Sequence, residues 1–235
     1  MLFAVSALHA HYGKSHVLHG VDLAVGQGEI VALLGRNGSG RSTLLKAIMG
    51  IVPPSSGSVR LDGAELAGLR PYRICRHGLS YVPEERLVFS HLTVEENFRI
   101  GAKPALSGGV SWSVEQMYGF FPRLHERRAT PAGKLSGGEQ QMLTICRSLL
   151  GNPRIIFIDE PTEGLAPLIV DVVMRVIGEI AAKGVSVVLV EQKLTFALNV
   201  AKRVLVMGHG SIVFAGGTAA FRADTAVQER WLGVS

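Results

Sequence analysis

Nine consecutive residues, Gly35-Arg36-Asn37-Gly38-Ser39-Gly40-Arg41-Ser42-Thr43, have the types and spacing to hold a phosphate chain. They follow the apolar run Ile30-Val31-Ala32-Leu33-Leu34 and open a segment that reads as a helix over 42–49. Strand, glycine-rich loop and helix in that order form the context a phosphate loop requires. The glycines let backbone N–H groups wrap an anion, and the helix N-terminus adds unpaired N–H groups and a favourable dipole. The Ser42 hydroxyl suits a Mg²⁺ that bridges the outer phosphates. One position departs from the usual pattern, because Arg41 stands where lysine is expected. The charge is kept, but a planar fork is bulkier than an ammonium and binds differently. The alternative, a glycine-rich turn that binds nothing, fails to explain why all three elements agree.

Two further groups could act on such a ligand. Asp159 and Glu160 end the apolar run Ile155-Ile156-Phe157-Ile158, and ligands of open α/β sheets gather at the carboxyl ends of strands. Asp159 is placed to hold Mg²⁺, directly or through water, and Glu160 to orient or deprotonate an attacking water. Leu135-Ser136-Gly137-Gly138-Glu139-Gln140-Gln141 reads as a serine-capped helix start with Glu139 at the third helical position. It is a second anion-binding helix tip, and physics alone does not say why a chain with one phosphate loop needs another.

The elements that must position these residues are an α/β set. Val21, Leu23 and Val25 alternate as in a half-buried strand within a first, strand-like stretch ending near Val25. Segment 58–61 reads as a strand closed by an Asp62-Gly63 hairpin signal. Residues 154–159 and 185–190 read as buried strands, with the amphipathic helix of Ile169, Val172, Val173, Val176, Ile177 and Ile180 between them. Such alternation indicates a mainly parallel sheet. Residues 85–134 mix aromatics, arginines and prolines, with a loose loop at 106–110, and read as a mainly helical inserted lobe leading into a helix from Ser136. The expected organisation is a single domain over 1–235. It has an N-terminal antiparallel β subdomain, a P-loop NTPase core and a helical lobe at about 85–150.

With these motifs in order, the chain resembles the ATP-binding cassette (ABC) proteins over essentially its whole length, residues 135–141 matching the signature sequence. The resemblance implies a bound ATP with Mg²⁺, and a dimer in which Ser136, Gly137, Gly138 and Glu139 of one subunit close on the nucleotide in its partner's phosphate loop. It implies Tyr12 as the ring stacked on adenine, and 162–167 as a dimer-contact loop. The finer resemblance, carried by 81–86, 92–97, 163–167 and 190–192, is to bacterial importer ATPases for branched-chain amino acids. Most ABC proteins have glutamine where Glu84 stands and histidine where Gln192 stands. Glu84 can still reach Mg²⁺ or the lytic water, whereas Gln192 can position but cannot relay a proton. The implied partners are a second ABC ATPase, with a heterodimer favoured over a homodimer, and integral membrane permeases linking it indirectly to an extracytoplasmic solute-binding protein. A soluble ABC ATPase of translation or DNA repair and a weakly hydrolysing regulatory half are the competing readings, the second motivated by Arg41.

Composition is compatible with these expectations. The 235 residues are 47% hydrophobic and 18% charged, which argues against disorder. The net charge of +5 fits a phosphate ligand, a polyanion or an acidic membrane face without choosing among them. No run of eighteen apolar residues occurs, and the first residues lack the pattern of a signal peptide. Together with the resemblance to importer ATPases, this implies a peripheral location at the cytoplasmic face of the inner membrane. Cys75 and Cys146 read as isolated structural thiols. His9, His11, His16 and His19 straddle a predicted turn at Gly13 with no acid or cysteine to complete a metal site, and read as strand or surface residues. The arginines at 70, 73, 76, 86, 123, 127 and 128 have little aromatic interleaving and form no usual nucleic-acid module, so no nucleic-acid partner is expected.

Overall fold

The computed structural model describes residues 1–105 and 109–233. Most of the loop expected at 106–110 lies outside them. Strands β1 (Phe3–Tyr12) and β2 (Ser15–Val25) form an antiparallel hairpin in which Tyr12 faces Ser15 across the turn at Gly13. The stretch that reads as one short strand-like region is thus two long strands. β3 (Ile30–Leu34) runs into the glycine loop and α1 (Arg41–Ile48). β4 (Pro54–Leu61) starts four residues before its apolar end suggests, because Ser55, Ser56 and Gly57 carry no hydrophobic signal. The Asp62-Gly63 turn leads into β5 (Ala64–Glu65) as expected. These strands build a four-stranded antiparallel sheet in the order β2-β1-β4-β5.

α2 (Pro71–Arg76) and β6 (Leu79–Val82) come next. The helices α3 (Val94–Gly101), α4 (Val114–Phe120), α5 (Pro122–Glu126) and α6 (Gly137–Leu149) follow. They fill the region expected to be helical. Three of the four, α3, α4 and α6, begin with a complete capping box, Thr93/Glu96, Ser113/Gln116 and Ser136/Glu139. Each satisfies two otherwise unpaired N–H groups, which is what lets helices of seven and eight residues exist here. β7 (Ile155–Asp159), α7 (Pro167–Ala182), β8 (Ser186–Val190) and α8 (Leu194–Val200) continue the α/β alternation. β9 (Arg203–Gly208), β10 (Ser211–Gly217), α9 (Thr218–Ala223) and α10 (Thr225–Leu232) complete the described chain.

The second sheet has the order β10-β9-β3-β8-β7-β6, parallel throughout except for the antiparallel β10 edge. β7 and β8 are buried at every position. Their side chains alternate between two cores, as a period of two demands. Ile155 and Phe157 join a core shared with the antiparallel sheet and α1. Ile156 and Ile158 join a core shared with α3, α6 and α7. A smaller core under α8 and α9 holds Ala32, Leu34, Val204 and Val206. With both faces covered, continuous apolar strands are the stable solution. Cys146 is buried in the α6 core and Cys75 is partly exposed on α2. No helix among the described residues is long and apolar enough to cross a membrane.

Candidate functional site

The carboxyl ends of β3, β7 and β8 converge, and the loops leaving them carry most of the expected site. An open cleft of about 430 Å³ is lined by Tyr12, Val17, residues 37–43, Glu84, Glu160, Glu163 and Gln192. The loop after β3 packs tightly at its base. A Cβ at Gly35 would meet the Met207 carbonyl and Ser39 Oγ at 2.6 Å, so no larger residue fits there. Gly40 caps α1 with φ 105°, and no side chain caps the helix in its place. The first turn of α1 carries no acid. Its N–H groups therefore face the cleft as an anion site with no built-in competitor. Ser39 Oγ is buried with no hydrogen-bond partner among the described residues.

Arg41 folds inward and is only 5% exposed. Its Nη1 donates to the Glu191 carbonyl at 3.2 Å, and its Nη2 to Asn37 Oδ1 at 3.2 Å and Glu160 Oε1 at 2.9 Å. Gln192 Nε2 donates to both Glu160 oxygens, at 2.9 and 2.7 Å. Glu160 is thus held by a cation and an amide, in a left-handed backbone conformation at φ 47° that non-glycine residues rarely adopt. Next to it, Asp159 is 1% exposed. Its Oδ2 accepts from the Tyr81 hydroxyl at 3.2 Å, while Oδ1 has no hydrogen-bond partner among the described residues. Burial chiefly pushes the Asp159 carboxyl above its ordinary value. The Glu160 charge adds to this, while the Ser42 and Tyr81 hydroxyls and Arg41 oppose it.

Glu84, Glu160 and Glu163 each offer an oxygen to a common point, the three atoms lying within 4.8 Å of one another. Burial, then the charges of Glu160, Glu163 and Asp159, raise the Glu84 carboxyl. The sequence reading grouped Ser42, Asp159 and Glu84 around one Mg²⁺. In the structure the Ser42 hydroxyl and Tyr81 both engage Asp159, and Glu84 sits with Glu160 and Glu163 within reach of the Asp159 charge. The orphaned Asp159 Oδ1 and the oxygen-only donor set both fit a hard divalent cation.

The Ser136 tip is positioned differently. Ser136, Gly137, Gly138 and Glu139 do not line the cleft. Ser136 caps α6, and the Glu139 carboxylate is engaged by the Ser136 N–H at 2.8 Å, by its hydroxyl at 2.9 Å and by Arg127 at 3.3 Å. Burial alone would raise the Glu139 carboxyl, but the Ser136 hydrogen bonds and the charges of Arg127 and Arg123 bring it below its usual range. Glu139 is therefore committed to its own helix start. Tyr12 stands half-exposed at the cleft rim.

Several contributors escaped the sequence reading. Glu163 joins the carboxylates because the turn after Glu160 returns its N–H toward the Glu160 carbonyl at 3.3 Å. Arg86 Nη2 holds the Glu163 carbonyl at 2.5 Å. Buried Glu191 anchors Thr162 through its N–H at 3.2 Å and hydroxyl at 2.7 Å, and so fixes the loop behind Glu160. An acid three residues beyond Glu160 was the one local signal for Glu163. Tyr81 reaches Asp159, and Glu191 reaches Thr162, only through strand order.

Comparison with known proteins agrees with this geometry. The family model described as ABC transporter matches residues 18–163. The chain is 41% identical over 232 residues to the high-affinity branched-chain amino acid transport ATP-binding protein BraG of Pseudomonas aeruginosa, covering 99% of this chain and 100% of that one. It is 35% identical over 210 residues to the probable branched-chain amino acid transport ATP-binding protein LivF of Archaeoglobus fulgidus, covering 89% of each. Among solved structures it is similar to MJ1267, an ATP-binding cassette of an ABC transporter, with a TM-score of 0.83 and 26% identity over 100% of this chain and 99% of that one. A match that runs through both the glycine loop and the paired carboxylates, joined to an end-to-end alignment with BraG, leads to one conclusion: the chain belongs to the ABC transporter family.

Proposed function

We propose that this chain is the ATP-binding and ATP-hydrolysing subunit of an importer for branched-chain or related amino acids, acting as one half of a nucleotide-sandwich dimer. The observation that carries the reading is the division of the site. The cleft brings the phosphate loop, Glu160 and Gln192 together, while the Ser136 tip stays outside it, free to complete a cleft in another subunit. In this reading residues 35–43 cradle the phosphates, Tyr12 stacks on the base, and Ser136, Gly137 and Gly138 cap the terminal phosphate in trans. Ser42 and Asp159, with Glu84 in reach, would hold a Mg²⁺, which would screen the charge of the outer phosphates. Glu160 takes the proton of the attacking water, and Gln192 positions it. Closure follows ATP because only the closed dimer gives the terminal phosphate both sets of N–H groups.

The partner is a second cassette, a different chain rather than a copy, and both dock peripherally on permeases at the cytoplasmic face of the membrane. The permeases in turn meet an extracytoplasmic solute-binding protein. The segment after Glu84 supports the docking role. Leu87, Phe89 and Ile100 are exposed, and Arg147 ties this face to α6 by packing over the Phe89 ring and bonding the Leu87 carbonyl and Asn97.

The test is steady-state ATPase of the purified pair of cassettes. Glu160→Gln should lower turnover by about 10²–10⁴-fold with ATP binding retained, the scale of a lost general base. Unchanged turnover would overturn the assignment. A second reading, a nucleotide-binding half with little turnover of its own, draws on the ion pair between Arg41 and Glu160, which occupies both groups. In that case the pair turns over equally well whether this chain carries Glu160 or Glu160→Gln.

A further inference from the structure

We propose that the β1–β2 hairpin carries a transition-metal site founded on His9 Nδ1 and His16 Nε2. The turn at Gly13 does not disperse the four histidines. It folds them onto one another, pairing His9 with His19 and His11 with His16 across the strands. His9 Nδ1 and His16 Nε2 stand 3.0 Å apart. The His16 ring is flanked by His11, stacked at 4.1 Å and 7°, and by His19 at 4.1 Å and 55°. His11 is itself oriented by Ser55 Oγ, 3.1 Å from its Nδ1. Glycine at position 20 leaves His9 its room, since a Cβ there would press on Nε2 at 3.2 Å.

The spacing of the two facing nitrogens has a direct chemical meaning. With metal–nitrogen bonds of about 2.0–2.1 Å, two ligands at a right angle lie roughly 3.0 Å apart, and two at a tetrahedral angle roughly 3.4 Å apart. The observed separation suits the right-angled coordination of Ni²⁺ or Cu²⁺, both of which favour imidazole. Metal binding requires neutral rings. His11, His16 and His19 are exposed and His9 is half-buried, so an ion reaches them from solvent. The donors are also chemically distinct from the carboxylate cluster of Glu84, Glu160 and Glu163, whose oxygens suit hard cations.

The experiment uses the full chain without an affinity tag, titrated calorimetrically with Ni²⁺ and Cu²⁺. One ion per chain is expected. His9→Ala and His16→Ala should each weaken binding on the order of tenfold or more, since even changes outside the ligand shell reach that scale. His77→Ala and His125→Ala should leave affinity within about twofold, being remote from the hairpin and subject only to context effects. The Cu²⁺ electron paramagnetic resonance spectrum should show imidazole nitrogen coupling that disappears in the double variant. His16 is exposed and His9 half-buried, and circular dichroism verifies the fold of each variant. The proposal is overturned if the wild-type chain binds no more Ni²⁺ or Cu²⁺ than the His9→Ala/His16→Ala variant. It is equally overturned if Glu163→Gln removes binding while the double variant keeps it.

Discussion

Arg41 spreads one largely buried guanidinium over three acceptors, Asn37, Glu160 and the Glu191 carbonyl. A lysine ammonium cannot span them with the same fixed geometry. Removing the cation leaves Glu160 buried with only Gln192 as a partner. Arg41→Ala is therefore expected to lower the stability of the nucleotide-free chain by about 3 kcal/mol, the low end for breaking a buried pair, as measured by urea unfolding. Arg41→Lys keeps the charge but holds Glu160 less firmly, and its turnover with the partner cassette should rise. Unchanged or lower turnover would show that the Arg41 contact is no brake. The phosphate loop and the Asp159-Glu160 pair were legible because each is a run of neighbours in sequence. The groups around them were not. Tyr81 reaches Asp159 across 78 positions, and only the parallel pairing of β6 with β7 brings them together.

The start of α6 serves its own helix and, in the proposed dimer, another subunit's nucleotide. The capping box of Ser136 and Glu139 was readable directly, since its two members are three residues apart and face each other on the first turn. The two roles separate experimentally. Ser136→Ala should cost about 1 kcal/mol of stability as a lost cap. It should leave ATP affinity of the lone chain unchanged, because the tip does not line the cleft, yet depress turnover of the assembled pair well beyond what the stability loss explains. The β4–β5 hairpin depends on Glu65, whose carboxylate accepts from the Ser58 hydroxyl, the Val59 and Ala67 N–H groups and Arg60. Desolvation opposes these bonds, but together they bring Glu65 from 4.5 to about 2. A depressed carboxyl stabilises the fold above its unfolded value and loses that contribution as pH falls toward its folded value. Thermal unfolding between pH 4.5 and 2 should therefore fall more steeply in the native chain than in Glu65→Gln. The effect is modest, since the side chain is 44% exposed and screened by water. The short strand β6 and the β9–β10 edge escaped the sequence reading. β6 has four residues, two of them only partly buried, too few to display a period.

At the scale of the molecule, the antiparallel sheet and the parallel sheet share one core, with Phe3 packed edge-on to Phe157 at 5.4 Å. The hairpin that presents Tyr12 and the strand that presents Asp159 and Glu160 are therefore fixed relative to each other. The α/β class was readable from apolar runs alternating with amphipathic helices. The joining of the two sheets was not, because a shared core is a long-range property with no local pattern. The proposed dimer gives a prediction at this scale. With Glu160→Gln in place, ATP should shift the sedimentation of the chain mixed with its partner cassette from two monomers to one dimer, and ADP should not. Persistence of monomers at saturating ATP would count against the sandwich.

Cys146 and Cys75 give the molecule a pair of unequal clocks. Burial raises the thiol values of both, that of Cys146 far more because it lies wholly inside the α6 core. An alkylating reagent added to the native protein should consume Cys75 early, at a pace set by its own surface. Cys146 should wait for α6 to lift from the sheet beneath it, so its labelling half-time reports how often the structure breathes there. Because the Ser136 tip starts that same helix, a ligand that pins the tip should lengthen the wait for one sulfur and leave the other unchanged.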